Sequence, residues 1–215
     1  VIVPFLLKWD LDPQKAFLFN VLVQLGTLVS VIIYFRKDLA AILKAVFKGL
    51  KEKQPFQTNE SRLGWYIVLG TIPAGLAGLA LKSKVEAAFS SPVVTAVLLF
   101  ATAIMLTAAE IFSKKEKDLE QLTWLDSLII GLFQGLAIFP GISRSGATVS
   151  GGLFKGYTRE AAARFSFLLS IPIMLAAGLL SVIDLVKAEF FLSFLPTMLF
   201  GFVIAGIIGY FSIRW

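Results

Sequence analysis

The sequence contains no cysteine and no histidine, and only 16% of its residues are charged. Without cysteine, disulfides and thiolate chemistry are excluded for this chain. Without histidine, it lacks the commonest general base and metal ligand, which argues against a histidine-dependent acid phosphatase mechanism. In soluble domains of this size about a quarter of the residues are charged, so an ordinary soluble domain is excluded as well.

Hydrophobic residues, in contrast, make up 57% of the chain, with a mean hydropathy of +0.83 and twenty phenylalanines. This composition predicts an all-α, polytopic integral membrane protein, because a bilayer forces each backbone group to bond within its own segment. The net charge of +6 is explained by the excess of Lys and Arg in cytoplasmic loops, and we expect no nucleic-acid partner.

Five stretches are long and apolar enough to span a bilayer: roughly 16–35, 64–81, 92–112, 163–183 and 191–213. A sixth apolar stretch, 123–154, is broken by Pro140-Gly141 and by further glycines, so one continuous helix is excluded. We predict two half-helices that meet at a loop and form a re-entrant hairpin.

Lysine and arginine are concentrated in two connecting segments, 36–62 and 113–122, whereas 82–91 and 184–190 carry only two and one cations. The positive-inside rule then places 36–62 and 113–122 in the cytoplasm. Within 36–62, apolar residues recur at helical spacing with lysines elsewhere on the wheel, which predicts a basic amphipathic helix on the membrane surface. Its apolar residues are Leu39, Ile42, Leu43, Val46, Phe47 and Leu50.

The chain also repeats itself. Gly70-x-x-x-Ala74-Gly75-x-x-Gly78 recurs as Gly201-x-x-x-Ala205-Gly206-x-x-Gly209, and the preceding spans both open with Phe-x-Phe. Three spans per unit predict an inverted-topology repeat, with 1–112 as the first copy and 123–215 as the second. A complete protein should then have six spans and two hairpins. We expect the chain to be a fragment with five spans and one hairpin, lacking the first hairpin and the last span.

The broken stretch contains "FPGISRSGATVSGG", residues 139–152, in which Arg144 is the only charge between Asp126 and Lys155. A charge at membrane depth usually faces a cavity or a partner. A guanidinium fork matches phosphate in a bidentate manner, and N–H groups of a glycine turn and a helix N-terminus would point at the same anion. The stretch therefore predicts a phosphate-binding loop.

Three residues of this loop are catalytic candidates: Ser143, Arg144 and Thr148. Thr148 shares a face with Arg144 if the second half-helix begins near Ser145. The hydroxyls also have a simpler interpretation, in which they satisfy the backbone of the broken helix. Candidates for phosphate binding are Gly141, Ser145 and Gly146.

Two other kinds of site do not fit this pattern. The glycines are not followed by a Lys-Ser/Thr pair, so the loop is not a nucleotide P-loop. No acidic pair lies within the apolar spans, since Glu110 and Asp126 sit at span ends, so a complete metal site cannot be built and we assign no metal ligands in this chain.

The motif "PGISRSGATVSGGL", preceded by "GLFQGLAIF" and followed by "FSFLLSIPIMLAAG", resembles the undecaprenyl-diphosphate phosphatase family, also called bacitracin-resistance proteins. "VLVQLGTLVSVIIYF" and "VLGTIPAGLAGL" are similar to further segments of that family, so the resemblance covers nearly the whole chain. It implies Ser143, Arg144 and Thr148 in the active site, with Gln134 as a further candidate for phosphate binding.

The resemblance also implies the activity. Family members hydrolyse a C55 polyprenyl diphosphate to its monophosphate during peptidoglycan synthesis, in the bacterial plasma membrane and with the site toward the outer side. A divalent cation, Mg or Ca, is implied, with its carboxylate ligands on a hairpin before Val1. The expected partners are the lipid substrate, the bilayer and a second copy in a homodimer.

The hypothesis is therefore a membrane lipid diphosphatase in which Ser143 or an activated water attacks phosphorus. A transporter or flippase of a phosphorylated polyprenyl lipid is the alternative, because inverted repeats with broken helices are a transporter architecture. A transporter needs no nucleophile. A structural membrane subunit, the third alternative, leaves the buried arginine unexplained.

Overall fold

A computed structural model describes residues 2–9, 12–89, 91–186 and 191–215, and this part of the chain contains helices and no β-strand. The predicted all-α class is confirmed. The helices are α1 Ile2–Leu6, α2 Pro13–Tyr34, α3 Arg36–Lys51, α4 Asn59–Ala80, α5 Lys82–Phe89, α6 Pro92–Phe112, α7 Trp124–Leu136, α8 Arg144–Phe154, α9 Arg159–Val186 and α10 Phe191–Arg214, with a short 3-10 helix at Leu119–Gln121.

Four described helices, α4, α6, α9 and α10, are long and apolar enough to cross a membrane. A fifth is obtained when α2 is counted as the apolar part of a bent pair with α3. Each of the five predicted spans therefore corresponds to a helix, and the chain is a multi-pass membrane protein. Lys187, the single cation predicted for the loop 184–190, lies outside the described residues.

Hydroxyl side chains set where several helices begin. Thr58, Ser91, Thr123 and Ser143 each accept a hydrogen bond from the amide three residues further on, at the starts of α4, α6, α7 and α8. Because the first amides of a helix have no partner within the helix, such N-caps stabilise its start by about 1 kcal/mol each. A serine or threonine directly before the first helical residue thus sets the start of these four helices.

The broken stretch 123–154 forms the two predicted half-helices, α7 and α8, which fold back on each other. The ε-ammonium of Lys155, just after α8, lies 3.0 Å from a carboxylate oxygen of Asp126 in the first turn of α7. The two ends of the stretch therefore meet at one place, as in a hairpin. We call α7, α8 and their connecting loop the hairpin.

The described helices form two compact units, one made of residues 1–9 and 41–170 and the other of 10–40 and 171–215. In the first unit, α7 packs closely on α4, because a Cβ on Gly131 would lie 2.3 Å from the carbonyl oxygen of Gly70. In the second unit, α2 and α10 cross in the same way: a Cβ on Gly26 would lie 2.2 Å from the carbonyl oxygen of Phe202. Close crossing needs small residues at the contact.

Both copies of the Gly-x-x-x-Ala-Gly motif take part in these crossings. Gly70 of the first copy contacts α7, and Ser30 of α2 donates a hydrogen bond to the carbonyl of Gly206 in the second copy. The later glycines of the first copy make no such contact, since nothing lies within 4 Å of a Cβ built on Gly75 or Gly78. The duplication itself, with its boundaries at 112 and 123, stays a prediction.

Candidate phosphate-binding site

The loop between α7 and α8 is held against α6 by its glycine. Gly141 has a φ of +97°, a left-handed conformation that disfavours other residues. A Cβ there would also lie 2.2 Å from the carbonyl oxygen of Thr95, in the first turn of α6. The need for glycine is therefore explained by the turn and by close packing on α6. The predicted role of Gly141 in phosphate binding remains a prediction.

Thr102, in the middle of α6, supports the next part of the loop. Its hydroxyl oxygen accepts a hydrogen bond from the Ser143 amide at 3.2 Å and lies 3.3 Å from the carbonyl oxygen of Gly141. Thr102 is buried and was not among the candidates drawn from the sequence. The available signal was a pair of threonines seven residues apart, Thr95 and Thr102, on one face of an otherwise apolar span.

Helix α8 begins at Arg144, one residue before the predicted start. Ser143 is its N-cap, and the Ser143 hydroxyl accepts a hydrogen bond from the Gly146 amide at 3.1 Å. Its oxygen also lies 3.4 Å from that of Ser145, which is exposed. The first two amides of the helix, on Arg144 and Ser145, have no intrahelical partner, so they and the positive end of the helix dipole are available to an anion.

The guanidinium of Arg144 makes no hydrogen bond and no ion pair with any residue that the structure describes, although the residue is half-buried. Structural arginines in apolar surroundings are held by carboxylates or backbone carbonyls. An arginine without such partners, beside free helix amides, has the donors that an anionic ligand needs. The geometry thus fits the predicted phosphate site.

Thr148 is buried, and its hydroxyl already takes part in two hydrogen bonds. It donates to the carbonyl of Arg144 at 2.9 Å, and its oxygen lies 2.5 Å from the hydroxyl oxygen of Ser166 in α9. Since the carbonyl can only accept, the consistent arrangement has Ser166 donating to Thr148. Thr148 therefore links α9 to the first turn of α8 and is shielded from a ligand at the loop. Ser166, which the sequence reasoning missed, lies within the quoted "FSFLLSIP" segment.

Gln134 in α7 is 2% exposed, and neither its amide nitrogen nor its amide oxygen has a hydrogen-bond partner among the described residues. On the helix it lies between Gly131, which faces α4, and Phe133, which faces α8. An unsatisfied buried polar group costs about 1–3 kcal/mol. The amide nitrogen and oxygen of Gln134 therefore remain able to form hydrogen bonds, and they lie in the same compact unit as Arg144. Its assignment to phosphate binding remains a prediction.

The opposite end of the hairpin is fixed by a polar network around Asp126. Its carboxylate pairs with Lys155 and accepts hydrogen bonds at 2.8 Å from both Thr123 and Tyr157. Glu110, at the end of α6, is paired with Lys115 and with Arg159. The Asp126 carboxylate, through its pair with Lys155, is held at the end of α8, about 16 Å along that helix from Arg144.

Tyr157 provides a test of this network. We expect Tyr157→Phe to lower the free energy of unfolding by about 1.5–3 kcal/mol, because a hydrogen bond to a buried carboxylate is lost. Thermal unfolding in detergent measures the change, and Tyr34→Phe, at an exposed tyrosine, should have no effect. An equal loss in both variants would contradict the assignment.

The same residue predicts a pH dependence. Burial, followed by the hydrogen bond to Asp126, raises the pKa of the Tyr157 phenol above its ordinary value. The unfolded chain then releases this proton first, at a pH near 10. Stability should fall as the pH rises above that value, and Tyr157→Phe should show a shallower decline.

The described residues do not provide a complete set of ligands for the predicted divalent cation. In the described part of the chain, no group of three or more His, Cys, Asp or Glu residues is placed to hold a metal ion. The residues described thus do not form the implied metal site.

Comparison with known proteins places the whole chain in one family. Residues 1–215 match the family described as Bacitracin resistance protein BacA. The chain belongs to this family. The BacA match covers the hairpin, α9 and the spans on both sides, as the sequence resemblance predicted.

Curated relatives of this BacA chain are named undecaprenyl-diphosphatase. The protein of Chlorobium phaeobacteroides is 43% identical over 226 residues, covering 100% of this chain and 78% of the relative. That of Anaeromyxobacter dehalogenans is 44% identical over 213 residues, covering 98% and 72%. That of Mycolicibacterium smegmatis is 42% identical over 206 residues, covering 95% and 74%.

Proposed function

We propose that this chain is an undecaprenyl-diphosphate phosphatase, a membrane hydrolase that releases phosphate from undecaprenyl diphosphate and leaves undecaprenyl phosphate. Membership of the BacA family and the names of its relatives support this activity. The structural observation that carries the proposal is the half-buried Arg144, which has no partner among the described residues and stands at the free N-terminus of α8.

The chemistry follows from this arrangement. The guanidinium and the amides of Arg144 and Ser145 bind the terminal phosphoryl oxygens and stabilise the charge that develops on them. A nucleophile attacks the terminal phosphorus, the bond to the bridging oxygen breaks, and undecaprenyl phosphate leaves. One water is consumed per diphosphate, and its oxygen and protons end on inorganic phosphate and on the solvent.

Of the candidate hydroxyls, Ser143 is placed to meet the phosphorus and Thr148 is not. The Ser143 oxygen accepts one bond from the Gly146 amide, so its proton remains available for transfer. Thr148 is 1% exposed and is held by the Arg144 carbonyl and Ser166. Thr148 then acts by fixing the first turn of α8. Either a water beside Ser143 attacks the phosphorus directly, or the Ser143 oxygen attacks and a water then breaks the phosphoseryl bond and releases inorganic phosphate.

The packing of the hairpin on α6 supports a site that opens toward the outer side. Gly141 contacts Thr95 in the first turn of α6, whereas Glu110 near its other end pairs with Lys115 of the cation-rich segment 113–122. Ser143 lies beside Thr102, at the middle of the span. With 113–122 in the cytoplasm, as the positive-inside rule requires, the loop reaches from the middle of the bilayer toward the outer face of a bacterial plasma membrane.

We further expect the polyprenyl tail to lie in lipid between spans and the protein to form a homodimer. We also expect a divalent cation to support the reaction, with ligands outside the described residues. A cation supplies charge neutralisation at the phosphates when bound.

The activity is tested by phosphate release from undecaprenyl diphosphate, with the purified protein in detergent. We expect release by the unmodified protein and a loss of at least about 100-fold in Ser143→Ala, since the N-cap and the attacking hydroxyl are both removed. Ser212→Ala, at an exposed serine on α10 whose hydroxyl donates to the Ile208 carbonyl of the same helix, is the control. Movement of intact diphosphate across a vesicle membrane without any phosphate release would contradict a hydrolase and favour a lipid transporter.

A further inference from the structure

Helix α3 carries three parallel rows of residues, each with the same spacing of four and then three positions. The first row is Ile42, Val46 and Gly49, the second is Leu43, Phe47 and Leu50, and the third is Lys44, Lys48 and Lys51. Because neighbouring residues are rotated by about 100° around a helix axis, the three rows face three different directions.

The first row packs on the protein. A Cβ on Gly64 in α4 would lie 2.5 Å from a methyl carbon of Val46 and 3.0 Å from one of Ile42. Gly49 is equally close to the turn before α4, with the carbonyl oxygen of Gln54 at 2.9 Å from a built Cβ. This row therefore fixes α3 beside the first two turns of a spanning helix.

The second row is apolar and uncovered. Leu43, Phe47 and Leu50 are 56%, 69% and 51% exposed. The apolar face predicted for α3 therefore has two parts in the structure. One part packs on α4, and the other has no protein packed on it among the described residues. Because α4 is a spanning helix, α3 lies at the depth where the bilayer surface meets the protein.

The third row is basic and lies on the far side of α3 from α4. Its three lysines are exposed, and only Lys48 has an acidic partner, Glu52 at 3.9 Å, among the residues that the structure describes. Lysines one step around the helix from a lipid-facing apolar row lie at the level of the lipid headgroups, where their charge meets phosphates.

From these three rows we propose that α3 is a docking surface for anionic phospholipid headgroups of the cytoplasmic leaflet. The apolar row enters the acyl chains and the lysine row binds the phosphates, each lysine favouring anionic over neutral lipid by about fivefold. The surface is separate from the loop around Arg144, and it recruits bulk lipid and not the substrate. The proposal does not depend on the enzymatic activity.

Immersion of the apolar row is tested by site-directed spin labelling, which the absence of cysteine makes specific to one site. The reconstituted protein carries a nitroxide at Phe47→Cys or, as the matched control on the exposed solvent side of α3, at Ala41→Cys. We expect the label at position 47 to collide with dissolved oxygen and to be shielded from an aqueous nickel complex. The label at position 41 should behave in the opposite way. Equal nickel exposure at both positions overturns the proposal, as does dipolar broadening between labels at position 47, which would indicate a second copy of the chain.

The charge preference is tested by competition between phosphatidylglycerol and phosphatidylcholine in vesicles that contain about one third phosphatidylglycerol. Native mass spectrometry measures the ratio of the two lipids retained by the protein. Replacing Lys44, Lys48 and Lys51 by Gln should reduce the preference for phosphatidylglycerol by about fivefold per lysine. The charge-matched control replaces the exposed Lys84, Lys114 and Arg214 by Gln and should change it little. An equal change in both triple variants, or none in the first, refutes the assignment.

Discussion

Arg144→Ala is expected to abolish phosphate release, with a fall in kcat of at least about 1000-fold, and to leave the fold intact. The loss follows because the guanidinium supplies charge-assisted donors to the phosphoryl oxygens, and an arginine in this role accelerates phosphoryl transfer by several powers of ten. Stability should hardly change, because the guanidinium makes no hydrogen bond or ion pair with the described residues that its removal would break. Phosphate assays and thermal unfolding on the same preparations measure the two quantities.

Two further variants sharpen this prediction. Arg144→Lys retains the charge but not the bidentate fork, so we expect intermediate activity. Arg214→Ala, at an exposed arginine at the end of α10, should retain full activity. If Arg144→Ala unfolded at a much lower temperature and lost activity in proportion, the arginine would be a structural residue and the phosphate site would have to be placed elsewhere.

Gly131→Ala should strongly lower stability, because the added Cβ would lie 2.3 Å from the carbonyl oxygen of Gly70 and 2.9 Å from its Cα. Backbone atoms cannot rotate away, so α7 and α4 must separate along the contact between them. Overpacking of this kind costs about 1–3 kcal/mol or more. Since α7 carries Gln134 and leads into the Arg144 loop, phosphate release should fall as well.

Gly135→Ala is the matched control on the same helix, four residues further on. Its nearest contact would be the carbonyl oxygen of Pro73 at 3.7 Å, an ordinary van der Waals distance. Alanine there should be neutral or stabilising by up to about 1 kcal/mol, since glycine is the less favourable residue within a helix. Unfolding temperatures in one detergent compare the two variants directly. Equal stability of both would show that α4 and α7 are not in close contact.

Much of the architecture could be read from the sequence because it depends on properties of single segments. A bilayer admits only segments that bond their own backbone, so apolar length alone located α4, α6, α9 and α10. Pro140-Gly141 cannot continue a helix, and this placed the break between α7 and α8 within a few residues. The family resemblance rested on the same stretch and was confirmed over residues 1–215.

Other features depend on which segments meet, and no local pattern contains that information. Thr148 has the sequence position of a residue facing the phosphate, but the hydroxyl of Ser166 covers it from α9. Thr102 supports the loop from a span about forty residues earlier, and its signal in the sequence was the pair of threonines, Thr95 and Thr102, on one face of that span. The apolar residues of α3 formed one stripe in the sequence, and the position of Gly64 decided which of them pack on protein.

By itself, the sequence determined that this chain is a helical membrane protein with a glycine-broken hairpin and one arginine at membrane depth. Hydropathy, helix breaking and the energetic cost of a charge in the bilayer all depend on a single continuous segment, so they can be read from the sequence. Only the tertiary structure decided that Arg144 is left without a partner among the described residues while Asp126 and Glu110 are paired. That outcome depends on α6, α7, α8 and α9 meeting in space. The hairpin places Asp126 and Lys155 at one end and Arg144 at the other, and this separation leaves the guanidinium without an acidic partner among the described residues.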